Sequence, residues 1–250
     1  MSKGLWMLML ASLLAACGLS PDHPKGDGPN TLIIDDPDDL LVQEEESTRM
    51  ALQVEIDSVA DVLDLHGVTV TVRESRADAI GGYGFGGWTP DGFTVNLYVD
   101  STFPEYAELA PERLGYLLVH EMHHARRWRG PGYGGTLFEA MISEGLADHF
   151  AVEYLGSKAP PWTAALDSAD VARYLAVAEP EFDSHSYDHA RWFFGTDPQP
   201  PRWTGYTLGY GLVAAYESAH AGTTALGLVD EAARSFRPGD PPKGRTATAR

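Results

Sequence analysis

The stretch LLVHEMHHARRW, residues 117–128, sets three histidines and a glutamate within five residues of an otherwise apolar run. Leu114, Leu117, Leu118 and Ala125 recur around it at helical spacing, so the segment is expected to be a helix that packs into a core. On that helix His120 and His124, four residues apart, project from one face, and Glu121 lies beside them. A buried cluster of unpaired ionisable groups is costly, whereas a shared metal ion satisfies it. The chain is therefore constrained to a fold that buries this helix and brings a further donor to its His120/His124 face.

The arrangement is HExxH. Neutral imidazole suits Zn²⁺, and three protein ligands leave a fourth position for water, whose pKa the metal lowers toward neutrality. A neighbouring carboxylate can take the proton as the water attacks a carbonyl, which makes Glu121 the candidate base. Because the pattern fixes three of five positions and recurs by chance, the third ligand is the informative demand. His123 points off the His120/His124 face and is expected to sit behind the ligands or to face solvent.

The next informative stretch is LFEAMISEGLADHFAVEYLG, a second expected helix. Glu144 and Asp148 stand four apart on one face of it, together with Met141, Ala147 and Ala151. Glu144 follows His124 by 144 − 124 = 20 positions, room enough for the loop RRWRGPGYGG to turn the chain back against the first helix. Glu144 is thus the candidate third zinc ligand. Asp148 could accept the other ring N–H of a ligand histidine, fixing its tautomer and orientation. Glu139 is the competing carboxylate, five residues earlier and off the Glu144 face.

At these residues the chain resembles the gluzincins, the thermolysin-like metallopeptidases that combine HExxH with a downstream glutamate and an aspartate one turn further. HEMHHARRW followed by AMISEGLADHF is more similar still to a bacterial family of predicted zinc-dependent proteases labelled as a domain of unknown function. The resemblance is strong over residues 114–155 and weaker over YTLGYGLVAAY. It implies one zinc on His120, His124 and Glu144, with Glu121 as base, and a zincin-like fold. Such zincins place an edge strand beside the metal helix, where a peptide substrate adds as another strand; TVNLYVD is the segment expected to serve. An oxyanion donor is also needed. The candidates are Tyr210, Tyr206, His220, His185 and His189, with Tyr210 preferred because the glycines around it would let its helix approach the site.

The chain opens with MSKGLWMLMLASLLAAC, a lysine, an apolar run and then small residues, the layout of a secretory signal peptide. Residues 14–17, LAAC, resemble a bacterial lipobox, so Cys17, the single cysteine, is the expected lipidation site and the first mature residue. Gly18 follows it where an aspartate would resemble an inner-membrane retention signal, which favours an outer-membrane destination in a host that has one. The formal net charge of −18 repels phosphate backbones and argues against nucleic acid as a partner. One cysteine also excludes a disulfide scaffold.

At 250 residues the chain is long enough for one substantial domain. Residues 1–17 form the expected signal peptide, and 18–46, rich in Pro, Gly and Asp with only TLII intervening, a flexible tether. Residues 47–236 are the expected zincin-like domain and 237–250 a polar, disordered tail. Within the domain, apolar spacing predicts a helix over residues 46–65, VTVTVRE alternates as a strand, and GGYGFGGWTPDGFTVNLYVD suggests a hairpin turning at Pro90-Asp91-Gly92. Helices are expected over 111–129, 137–155, part of 161–194, 205–220 and 224–236. This order gives an α+β class, a small antiparallel or mixed sheet followed by a mainly helical part carrying both ligand helices. The expected activity is a lipid-anchored zinc metallopeptidase acting on peptides or proteins. A zinc hydrolase of a non-peptide amide or a wall peptide, and a lipoprotein scaffold that keeps its metal structurally, remain as alternatives.

Overall fold

The computed structural model describes residues 28–41 and 46–238. The expected signal peptide with Cys17, about half of the expected tether, and the tail beyond residue 238 lie outside the described residues. The class is α+β, with a four-stranded mixed sheet and a mainly helical remainder. Strands β1 (Thr31–Asp35), β2 (Thr69–Glu74), β3 (Phe85–Trp88) and β4 (Thr94–Val99) are ordered β1-β2-β4-β3 across the sheet. β1, β2 and β4 run parallel, and β3 runs antiparallel to β4 at the outer edge.

Alternation sets the faces. Val70 and Val72 of β2 and Val95, Leu97 and Val99 of β4 are fully buried, and the residues between them are not. Against these residues pack α1 (Glu46–Leu63), through Ile56, Val59, Ala60 and Leu63, and the long α2 (Tyr106–Trp128). The second apolar cluster gathers around α3 (Leu137–Leu155), α4 (Ser168–Ala178) and α5 (Thr204–Ala219). α3 is buried on nearly every side over its first fifteen positions. It packs against α5 backbone to backbone: a β-carbon on Gly209 would stand 2.0 Å from the Met141 carbonyl oxygen, and one on Gly145 would stand 2.4 Å from that of Gly209. No helix of the described residues is long and apolar enough to cross a membrane.

Four expectations are corrected. The expected tether contains β1, which pairs with β2 through Leu32 and Ile34; Asn30 fixes its start by accepting from the Val68 N–H. α2 begins at Tyr106, not at 111, and holds Pro111 in its second turn, where the carbonyl four residues back belongs to exposed Ala107 and meets water. TVNLYVD is not the edge strand: β4 lies inside the sheet and β3 is the edge, because the parallel pairing of β4 with β2 occupies the side of β4 away from the hairpin. The expected helix over 224–236 is two short 3₁₀ turns, Leu226–Leu228 and Ala233–Phe236. The carbonyls of Val229 and Glu231 between them accept from the buried Arg127 guanidinium, at 2.9 and 3.3 Å, instead of closing a helical ladder.

A candidate metal centre between two buried helices

The apolar run that makes α2 a core helix carries His120 and His124 inward on one face. α3 brings Glu144 opposite them. Its start is fixed by a capping box in which the Thr136 hydroxyl accepts from the Glu139 N–H and the Glu139 carboxylate accepts from the Thr136 N–H. Glu139, the competing carboxylate, is thereby committed to the helix end. The 3₁₀ turn Pro161–Ala164 adds Trp162 from below.

The three donors converge. His124 Nε2 lies 3.0 Å from His120 Nε2, His120 Nε2 lies 3.1 Å from Glu144 Oε2, and His124 Nε2 lies 3.4 Å from the same oxygen. Donors held about 2.05 Å from a tetrahedral ion stand about 3.3 Å apart, so the spacing fits zinc. The residues are 4 to 6% exposed, buried yet touched by solvent. The far ring nitrogen of His120, Nδ1, faces Asp148 Oδ1 at 2.9 Å. Asp148 is wholly buried and also accepts from the Tyr116 hydroxyl at 2.8 Å and from the Trp162 indole N–H at 3.0 Å. With its Nδ1 hydrogen on Asp148, His120 turns a bare lone pair toward Glu144 and His124. Two imidazole nitrogens and a carboxylate oxygen at this separation are an acceptor-rich cage that a dication satisfies.

Electrostatics agree. Burial works against a charged Glu144, yet His124 and His120 outweigh it and hold its carboxyl well below the usual carboxylate range. Burial likewise opposes a charged His120, and Asp148 and Glu144 outweigh it, raising its pKa well above the ordinary value when no metal competes for the nitrogen. Glu121, beside the cage, is shifted the other way: burial raises its pKa, with His124, His120 and the Thr89 hydrogen bond opposing. The Thr89 hydroxyl donates to Glu121 Oε2 at 2.7 Å. The other oxygen lies against Gly87 of the edge strand, where a β-carbon would come within 2.5 Å of Oε1.

The structure thus brings together His120, Glu121, His124, Glu144 and Asp148, the residues singled out by spacing. Tyr210 lies on the His149 side of α3, where the charge of Asp148 still reaches it. Tyr210 stacks on His149 with ring centroids 3.9 Å apart, and its carbonyl faces His149 Nε2 at 3.0 Å. The reason is helical phase: the face of α5 that carries Gly209 packs on α3 at Met141, and Tyr210 is carried round to the His149 side. Of the other candidates, Tyr206 is half-buried against Trp162 and Phe193, and the charges of Glu144, Asp148 and Glu121 reach it. His189 stacks on Phe193, His185 faces the Gly135 carbonyl, and His220 faces the Tyr216 carbonyl. His123 does not face solvent; it sits behind the ligand His124, edge to face with ring centroids 6.5 Å apart. It is fully buried with its ring 5.3 Å from Phe150, both ring nitrogens lack a hydrogen bond among the described residues, and burial, followed by Arg127, holds its pKa well below the ordinary value.

Two contacts went unforeseen. The Tyr133 hydroxyl donates to Glu144 Oε1 at 2.6 Å, and its carbonyl accepts from Ser143, which in turn accepts from Arg127. An aromatic residue inside the glycine-rich loop between two motif helices was the available signal. Thr89, immediately before the hairpin turn, had none.

A buried two-histidine, one-glutamate centre with a free carboxylate beside it, on an α+β scaffold, defines the class of a zinc-dependent protein. A family model described as "Predicted Zn-dependent protease (DUF2268)" matches residues 71–236, and the chain belongs to that family. None of the curated proteins compared with it matches.

Proposed function

We propose that this protein is a gluzincin-like zinc metallopeptidase that hydrolyses peptide bonds, exported and held to a membrane by lipid on Cys17. The observation that carries the reading is the position of Glu121, whose carboxylate stands beside a closed set of three ligands and against the sheet edge at once. A structural metal site has no use for such a base.

His120, His124 and Glu144 would hold the zinc, which supplies Lewis acidity toward water and a substrate carbonyl. Thr89 occupies Glu121 Oε2 and leaves Oε1 as the proton acceptor, on the side of Gly87. A peptide extending the sheet beyond β3 at Gly87 and Trp88 would lay its backbone past that oxygen. Glu121 takes the proton of the attacking water and returns it to the amine nitrogen as the peptide bond breaks. Burial raises its pKa, which favours the proton-carrying form needed for the second step. Tyr133 keeps its phenol proton, since burial and Glu144 raise its pKa well above the ordinary value, and so orients Glu144 as a donor.

Glu121→Gln tests the reading. The variant should retain zinc and lose cleavage of a mixed peptide library by roughly a hundredfold to ten-thousandfold, the usual weight of a positioned acid-base group. Cleavage at the wild-type rate, or loss of the zinc together with the activity, would remove Glu121 from the mechanism.

A further inference from the structure

A second cluster lies on the opposite side of α3, outside the centre just described. His149 and Glu153 stand four apart on α3, hence on one face, and Glu217 comes from α5; one ligand atom from each lies within 4.8 Å of the others. The design repeats that of the first centre, a helical pair at i and i+4 met by a carboxylate from a facing helix.

The hydrogen-bond pattern around His149 decides what the cluster can hold. Its Nε2 lies 3.0 Å from the Tyr210 carbonyl, and a carbonyl only accepts, so Nε2 carries the ring hydrogen. Burial lowers the His149 pKa and so favours the neutral ring. In the neutral ring Nδ1 is a bare lone pair, and it faces Glu217 Oε2 at 3.2 Å, an acceptor pair once Glu217 is ionised. The other carboxylate oxygen, Glu217 Oε1, is buried with no hydrogen-bond partner among the described residues. Glu153 is fixed in turn by the Ala225 N–H, which donates to its Oε2 at 3.0 Å. His149 and Glu153 are therefore each backed by a contact that orients them, as outer contacts orient the ligands of metal sites, while Glu217 keeps an oxygen for a cation.

We infer that His149, Glu153 and Glu217 form a second divalent-cation site that clamps α3 to α5 and to the loop at Ala225. One imidazole nitrogen with two carboxylates selects a zinc-like transition-metal ion, because calcium and magnesium take oxygen ligands. A dication also removes the repulsion between the two carboxylates, which adds to burial in pushing the Glu217 carboxyl up to about 7. The site is structural: no base comparable to Glu121 stands beside it among the described residues.

The test is zinc stoichiometry by equilibrium dialysis on the full chain, first stripped with chelator and then titrated with zinc alone at pH 8, where Glu217 is ionised. Wild type should take up two zinc ions per chain. Glu153→Gln combined with Glu217→Gln should take up one and keep its peptidase activity, whereas His120→Ala should also take up one, at the second site, and lose activity. At a hundredfold excess over the site's Kd, zinc should raise the Tm of His120→Ala by roughly 5 to 10 °C, and this rise should vanish when the two glutamines are added. Glu153 is exposed, so Glu153→Gln alone serves if the buried changes impair folding. Saturation of wild type at one zinc that His120→Ala abolishes would assign the His149–Glu217 contact to a carboxylic-acid proton and overturn the site. A second zinc that survives both glutamines would overturn it as well. Neither outcome touches the first centre, which stands or falls on the zinc lost in His120→Ala.

Discussion

Asp148 is the most heavily used side chain of the metal centre, and Asp148→Asn isolates its charge from its shape. The carboxylate is wholly buried and accepts from three donors: His120 Nδ1 at 2.9 Å, the Tyr116 hydroxyl at 2.8 Å and the Trp162 indole at 3.0 Å. An amide offers one oxygen in place of two and sets an N–H₂ where the second stood. With its oxygen kept toward His120 and Tyr116, the amide turns its N–H₂ toward the Trp162 N–H, donor against donor, and finds no acceptor there, while the indole keeps its 3.1 Å contact with the retained oxygen. A buried donor left without its partner costs about 1–3 kcal/mol, so the metal-free variant should unfold in urea with that much less stability. Loss of the charge also weakens the hold on the His120 tautomer. Changes of this kind cost tenfold to a hundredfold in metal affinity, or about 1.4–2.8 kcal/mol. Chelator competition measures the affinity and urea unfolding of stripped protein the stability. Reduced stability with unchanged zinc affinity would make Asp148 a core buttress only. If neither changes, the hydrogen-bond set drawn around it is wrong.

The other expectations address the base, the third ligand and the anchor. Gly87→Ala places a methyl group 2.5–2.8 Å from three atoms of the Glu121 side chain, which Thr89 holds in place. Displacement by about 1 Å should cost roughly a hundredfold in kcat/KM with zinc content intact; full activity would show that Glu121 moves freely. Tyr133→Phe removes the donor to Glu144 Oε1, and chelator competition should find zinc bound roughly tenfold more weakly, whereas unchanged binding would leave Tyr133 without a part in holding the ligand. Cys17→Ser removes the sulfur that would accept the lipid. Palmitate labelling should disappear and the protein should leave the membrane fraction or persist as precursor, while a wild-type chain that takes up no label and is already soluble would sink the anchor.

The metal centre was legible because its chemistry is local. His120 and His124, and again Glu144 and Asp148, are set on common faces by helical geometry alone, and apolar neighbours show that those faces are buried. What depends on the neighbouring element was not legible. Tyr210 was preferred for its glycines, but Gly209 serves the contact of α5 with Met141, and this turns Tyr210 onto His149. β4 reads as a strand, yet nothing in TVNLYVD says that its second partner is β2 and that β3 is left at the edge. The 224–236 segment has helical composition, and its carbonyls are diverted by Arg127, about a hundred residues away. His123 has the same identity as the two ligand histidines, and only its phase on α2 sends it into the core.

The Tyr210 miss has its cause in α3. A helix buried on nearly every side presents no single apolar stripe, so periodicity cannot say which partner each face meets. Glu144 and Asp148 turn toward α2, His149 toward α5, and Gly145 lies against the α5 backbone at Gly209. Close packing on all sides is also what a metal site requires of the element that supplies its carboxylate. Ligand atoms 3.0 to 3.4 Å apart keep that spacing only if their helices cannot slide. Glycine-to-backbone contact between α3 and α5 prevents sliding on one side, and the Arg127–Ser143–Tyr133 chain prevents it on the other. The buried cationic side chain of Arg127, four residues after His123 and outside the ligand set, thus belongs to the frame that holds Glu144 in place.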